Sequence, residues 1–318
     1  MRTALRLGGF VVGLVAVFAG ALVAGRVVGP VGPDGRPAGQ ATGDDHGASG
    51  DAAGDAGPSG DDHVRHDDGA AEPPAGLQIS QDGYRLVPQT ASLTPGRAVE
   101  FAFRVLGPDG GPVTGYTPTH ERDLHLIVVR RDLAGFQHVH PSLGPDGVWR
   151  VPLTVAAAGQ YRVFADFRPA GRAEALTLGA DVPAPGPYQP ASTPPVSRTT
   201  TVDGYTVELT GHLVPGTASA VTLRVSRDGR PVTNLQPYLG AYGHLVTLRS
   251  GDLAYLHTHP TGAPGDGRTP SGPEIAFAVE VPSSGTYRLY LDFRHGGVVR
   301  TAEFTATAGP TDTGHGHG

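Results

Sequence analysis

Leu124-His125-Leu126-Ile127-Val128-Val129, then Arg130 to Gly135, then Phe136-Gln137-His138-Val139-His140-Pro141 is the stretch that decides how this chain folds. Two short apolar arms rich in β-branched residues flank a charged connection containing a Gly, which is the pattern of a β-hairpin. Side chains alternate along a strand, so His125, Ile127 and Val129 share a face, as do Phe136, His138 and His140. Pairing Val129 with Phe136 sets Ile127 opposite His138 and His125 opposite His140. Three imidazoles then gather at one end of one face.

The pattern occurs twice. Gly243-His244-Leu245-Val246-Thr247-Leu248, a connection from Arg249 to Ala254, and Tyr255-Leu256-His257-Thr258-His259-Pro260 repeat it. His125, His138, His140 and Pro141 recur as His244, His257, His259 and Pro260, each 119 positions on. By the same register His244 faces His259, with His257 beside them. Recurrence at one fixed offset is the signature of an internal repeat.

The repeat extends on both sides of the hairpin. Asp82-Gly83-Tyr84 recurs as Asp203-Gly204-Tyr205, and Gly159 to Arg168 recurs as Gly285 to Arg294, where the offset has grown to 126. Between the hairpin, at offset 119, and Gly285 the second copy therefore carries seven extra residues, and the Gly/Pro-rich loop 261–273 accommodates them. Each copy holds about seven strand candidates in roughly 100 residues without crossover helices, which predicts an all-β chain of two tandem β-sandwiches, immunoglobulin-like or cupredoxin-like. The repeats are expected over residues 77–182 and 199–308, joined by a Pro-rich linker, 183–198.

Outside the repeats the composition changes. Residues 7–25 are nearly uncharged, follow Arg2 and Arg6, and are about long enough for a transmembrane helix, so residues 1–29 read as a signal-anchor. This predicts a single-pass membrane protein with most of the chain extracytoplasmic, or a secreted one if the segment is cleaved after Leu22-Val23-Ala24. Residues 30–76 are rich in Gly, Ala, Asp and Pro and read as a disordered spacer. Residues 309–318 form a His-Gly tail.

Composition also excludes function classes. There is no Cys, so disulfides and thiolate ligands are absent. All 24 Lys+Arg residues are Arg, which excludes Schiff-base chemistry. A net charge of −6 argues against a nucleic-acid partner. The sequence contains no Gly-x-Ser-x-Gly elbow, no His-Glu-x-x-His pair and no phosphate loop, so the expectation is a protein that is not an enzyme.

The histidines admit two readings. Cβ atoms of facing residues on an antiparallel pair are ~4.5–5.5 Å apart, so His125, His138 and His140 could hold one ion, and His244, His257 and His259 another. Asp166 and Asp292 are the candidate carboxylates behind the ligands, since a ligating His usually donates its second N–H to one. His120 and Asp123 are possible additions to the first set, and His295 to the second. In the other reading the same histidines are neutral hydrogen-bonding groups that fix the hairpin, with no ion.

The hairpin, together with Gly159-Gln160-Tyr161-Arg162-Val163-Phe164-Ala165-Asp166-Phe167, resembles exported and membrane-anchored proteins of actinobacteria with tandem His-x-His-Pro repeats. The outline of one repeat resembles the YtkA/FixH-like group of membrane-anchored β-sandwich modules, and that resemblance implies copper delivery or oxidase assembly. This chain departs from the periplasmic copper chaperones: its one Met is Met1 and Cys is absent, so the soft ligands of Cu(I) are missing. The expected ion is Cu(II) or Zn(II), or none. The function expected is divalent metal buffering or delivery at the cell surface. The alternative is an anchored module that binds a protein partner or cell-envelope component.

Overall fold

The computed structural model describes residues 74–309 apart from residue 257. The apolar N-terminal run, spacer residues 30–73, the His-Gly tail and His257 lie outside the described residues. Among the described residues no helix is long and apolar enough to cross a membrane.

The chain is all-β. Repeat one runs β1 (Ser80–Gln81), β2 (Tyr84–Pro88), β3 (Ala98–Leu106), β4 (Leu124–Arg130), β5 (Gln137–Val139), β6 (Ser142–Leu143), β7 (Trp149–Thr154), β8 (Gly159–Phe167) and β9 (Leu176–Ala184). These strands form two sheets, ordered β1-β2-β3-β7-β6 and β5-β4-β8-β9. Repeat two runs β10 (Thr199–Val202), β11 (Tyr205–Thr210), β12 (Ala218–Arg227), β13 (Arg230–Pro231), β14 (Gly243–Arg249), β15 (Tyr255–Leu256), β16 (Thr258–Pro260), β17 (Glu274–Glu280), β18 (Gly285–His295) and β19 (Val298–Ala308). Its sheets are β10-β11-β12-β17-β16, with β13 on β12, and β15-β14-β18-β19.

Alternation builds each core. Phe101, Phe103 and Val105 of β3 point inward from one sheet and meet Leu126, Val128, Val163 and Phe167 from the other. In repeat two, Val221, Leu223 and Val225 meet Leu245, Leu289, Leu291 and Phe293. Strand β9 continues to Ala184, beyond the expected repeat boundary, because its last residues still alternate between core and solvent, with Val182 and Ala184 buried.

Strand β4 is buried along its whole length. Leu124, Leu126 and Val128 serve the core of repeat one, whereas Ile127 and Val129 belong to a third cluster, with Leu133, Phe164, Val246, Leu248, Leu253, Tyr255 and Tyr290. A strand that is apolar on both faces requires cover on both. The cover is the other repeat: sheet β5-β4-β8-β9 packs on sheet β15-β14-β18-β19. The contact is reciprocal, as in a twofold-related dimer. Phe136 stacks on Tyr290 at 4.0 Å between ring centroids, and the equivalent pair, Tyr255 and Phe164, lies at 5.7 Å. Tyr290 also donates its hydroxyl to the carbonyl of Leu133 across the seam, at 2.7 Å.

The seam begins before the first strand. Gly76 N–H donates to the carbonyl of Thr177 and Tyr255 N–H donates to that of Ala75, so this short segment touches both repeats. Gly76 has φ +75° and lies against the Phe164 ring, where a Cβ would come within 2.5 Å of it. No residue with a side chain fits there without displacement.

Candidate metal centre

The β4–β5 register is the one read from the alternation. Leu126 pairs with Val139, Ile127 with His138 and Val128 with Gln137, which carries His140 toward His125. These histidines are on the face of β4 and β5 that turns to the seam, so their surroundings come from the second repeat as well as the first.

Three ring nitrogens converge. His125 Nδ1 lies 3.0 Å from His138 Nε2 and 3.2 Å from His140 Nε2. One ligand nitrogen from each of the three lies within 4.8 Å of the others. The opposite ring nitrogens are committed. His125 Nε2–H donates to the Thr119 carbonyl at 2.9 Å, which can only accept. His138 Nδ1–H donates to Asp292 Oδ2 at 2.7 Å, where both side chains are 4% exposed. Thr301 Oγ1–H orients the same carboxylate at 2.6 Å.

These bonds determine the tautomers, and each neutral ring then directs a lone pair at the other. Two facing lone pairs at 3.0 Å repel unless a cation lies between or beside them. A proton on His138 Nε2 satisfies that pair, but the single lone pair of His125 Nδ1 cannot accept from His138 and His140 together. A metal ion serves all three. Nitrogens each ~2.0–2.1 Å from one ion are roughly 2.9–3.4 Å apart for angles between 90 and 110°. Both short separations fall in that range.

Electrostatics keep His125, His140 and His244 neutral. Burial, reinforced by His138, pushes the His125 pKa down to about 3. Burial, His138 and Arg122 push His140 down to about 4. Burial, His120 and His138 push His244 down to about 4. Neutral imidazole is the form that ligates.

The second set is arranged differently from the sequence expectation of one self-contained cluster per repeat. His244 faces the seam and its Nε2–H is held by the carbonyls of Tyr238 and Leu239 at 3.0 and 3.1 Å. His259, expected opposite His244, pairs instead with Ala278 in the other sheet. The reason is the point at which the chain changes sheets. In repeat one it crosses after Pro141, leaving His140 beside His125. In repeat two it has crossed by Thr258, ahead of the long loop 261–273. Nothing is described for His257.

The carboxylates also differ from expectation. Asp292, expected behind the second set, holds His138 of the first. Asp166 pairs in register with His125 but accepts from Thr177 Oγ1 at 3.2 Å and is bonded to the Tyr255 hydroxyl. His120 is exposed, with its ring 6.1 Å from His125 and 5.0 Å from His244. Asp123 is exposed and is not part of the cluster. His295 is engaged elsewhere, accepting from the Tyr205 hydroxyl at 2.7 Å and donating to Asn234 Oδ1 at 3.0 Å. His120, His125, His138, His244, His259 and Asp166 all line one cavity of about 50 Å³. The carbonyls of Thr119 and Tyr238, which fix two of the tautomers, carry no sequence signal, because any residue has one.

Residues 79–184 and 200–309 each match a family described as "Domain of unknown function (DUF8832)". The chain belongs to that family and carries its domain twice. The likeness to the YtkA/FixH-like group stays a resemblance of sequence. No curated protein matches the chain. Among solved structures it is similar to FdeC, an Escherichia coli adhesin, at 14% identity and a TM-score of 0.24, over 72% of this chain and 65% of that one. It is similar to InvD of Yersinia pseudotuberculosis at 13% identity and a TM-score of 0.23, over 73% and 59%. The chain spans less than two thirds of either protein. Agreement at this level is loose, and nothing about function passes from those proteins to this chain.

Proposed function

We propose that this two-copy member of the DUF8832 family binds a divalent metal ion, Cu(II) or Zn(II), on His125, His138 and His140, and acts outside the cytoplasm as a non-enzymatic metal buffer or delivery protein. The observation that carries the reading is the 3.0 Å approach of His125 Nδ1 to His138 Nε2 when their other nitrogens are both committed as donors. The carboxylate–imidazole pair His138–Asp292 is the support a ligating histidine usually has. Hard oxygen-seeking ions fit an all-nitrogen set poorly, whereas Cu(II) and Zn(II) fit it well. The extracytoplasmic placement rests on the apolar N-terminal run.

The test is calorimetric titration of the full chain with Zn(II) and with Cu(II), beside His138→Ala and His140→Ala. Saturable binding at micromolar affinity or better, with the triad's equivalent lost in both variants, is the expected result. Equal binding in wild type and variants assigns the uptake to the spacer and tail and sinks the reading.

A second reading is favoured by the same His138–Asp292 contact, which ties the repeats together with or without an ion. The chain is then an anchored interaction module with structural histidines. Its mark is a His138→Ala protein that is less stable while wild type takes up no metal at the seam.

A further inference from the structure

The geometry points to a second metal position in the same cavity, held by His120 of repeat one and His244 of repeat two, so that the seam is a two-ion centre. This rests on the metal reading above and extends it. The ring centroids of His120 and His244 are 5.0 Å apart. Within the triad the separations are 5.3, 5.0 and 4.9 Å. Two imidazoles on one ion have centroids roughly 4.5–5.2 Å apart for angles of 90–110°, given metal–nitrogen bonds of ~2.0–2.1 Å. The distances between the two sets are longer, 6.1 Å for His120–His125 and 6.4 Å for His138–His244, so the sets adjoin without merging.

His244 is prepared as His125 is. Its Nε2–H is held by backbone carbonyls, which leaves the Nδ1 lone pair available, and the residue is only 7% exposed. His120 is what distinguishes the two halves of the seam. Its equivalent, Leu239, has nearly the same backbone, φ 54° against 49°, so the turn belongs to both repeats and only the side chain differs. Leu239 is buried whereas His120 is exposed. The first repeat thus brings an imidazole to the cavity, whereas the buried Leu239 of the second is not among the residues that line it. His259 and Asp166 line the same space. A second dication beside the first meets like charge, so it binds more weakly of the two.

The experiment uses the full chain, desalted after loading with Zn(II) for metal analysis and loaded with Cu(II) for electron paramagnetic resonance. His120→Leu places in repeat one the residue repeat two already has, at an exposed position, so the fold is retained. His138→Ala reports on the triad. Spacer and tail are the same in every protein, so their uptake cancels in the differences. The expected result is one equivalent fewer in His120→Leu than in wild type, together with loss of the dipolar Cu(II)–Cu(II) signal. Equal equivalents in wild type and His120→Leu, with fewer in His138→Ala, overturn the second position and leave the triad standing. Loss of a lone ion in His120→Leu also overturns it, by making His120 a ligand of the first. No change in His138→Ala refutes the metal reading itself.

Discussion

Asp292 of the second repeat accepts a hydrogen bond from His138 of the first, Nδ1 to Oδ2 at 2.7 Å, in a contact that water scarcely reaches. The carboxylate selects the His138 tautomer and fixes which nitrogen faces the triad. Asp292→Asn keeps the shape and removes the charge. Metal affinity is expected to fall about 10–100-fold, the usual effect of losing such a partner. Competition against a chelator of known affinity measures it. Unchanged affinity would show that Asp292 does no more than hold the two repeats together.

Metal is expected to stabilise the fold, since the ligands converge only when β4 and β5 are paired. At a free ion concentration 100 times Kd the gain is about 2.7 kcal/mol. Thermal unfolding with Zn(II) and with excess chelator reads it directly. The gain should disappear in His125→Ala. Should that variant be stabilised as much as wild type, the ion sits elsewhere.

The metal-free protein is expected to lose stability in acid. Burial, with neighbouring imidazoles, holds His125 near 3 and His140 and His244 near 4, against ~6.5 in an unfolded chain. Between those limits the unfolded chain binds more protons than the folded one, so stability rises with pH through the window. It is fully present above about pH 6.5 and declines as the pH falls toward 4, with a slope of up to about 1.4 kcal/mol per pH unit for each such histidine. Urea titrations at several pH values in chelator measure the trend. A flat profile from pH 7 to 4.5 would mean that these histidines take up protons in the folded protein as they do in the unfolded chain.

The two repeats are expected to unfold together. Tyr290 is fully buried, stacks on Phe136 and donates to Leu133 across the seam. Tyr290→Ala should cost roughly 3–5 kcal/mol, as for other large buried aromatics. Calorimetry of the wild type should show one transition for the described region and a lower midpoint in the variant. Two well-separated transitions in the wild type would show that the repeats are independent and the seam is weak.

Much of this was legible in the chain. Alternation along β3, β8 and β18 and the Gly/Pro punctuation between strands marked the sandwiches, because strand period and turn chemistry are local properties. The register of His125 against His140 followed from the same period of two. The apolar run Leu126 to Val129 was a further signal, since a strand buried on both faces needs a partner for each. Which partner it takes is a long-range matter. Only packing brings Asp292 to His138 rather than to its own repeat, sets His120 beside His244, and moves His259 into the opposite sheet. A repeat of 119 residues implies two equivalent sites if each copy stands alone. Docked face to face the copies share one cavity, and the sheet crossing before the long loop 261–273 makes its halves unequal. Local patterning therefore specified strands, register and the triad His125, His138 and His140, whereas the carboxylate behind His138 and the approach of His120 to His244 were decided by contacts between segments more than 100 residues apart, whose cost in chain entropy is met only when both sheets bury their second faces together.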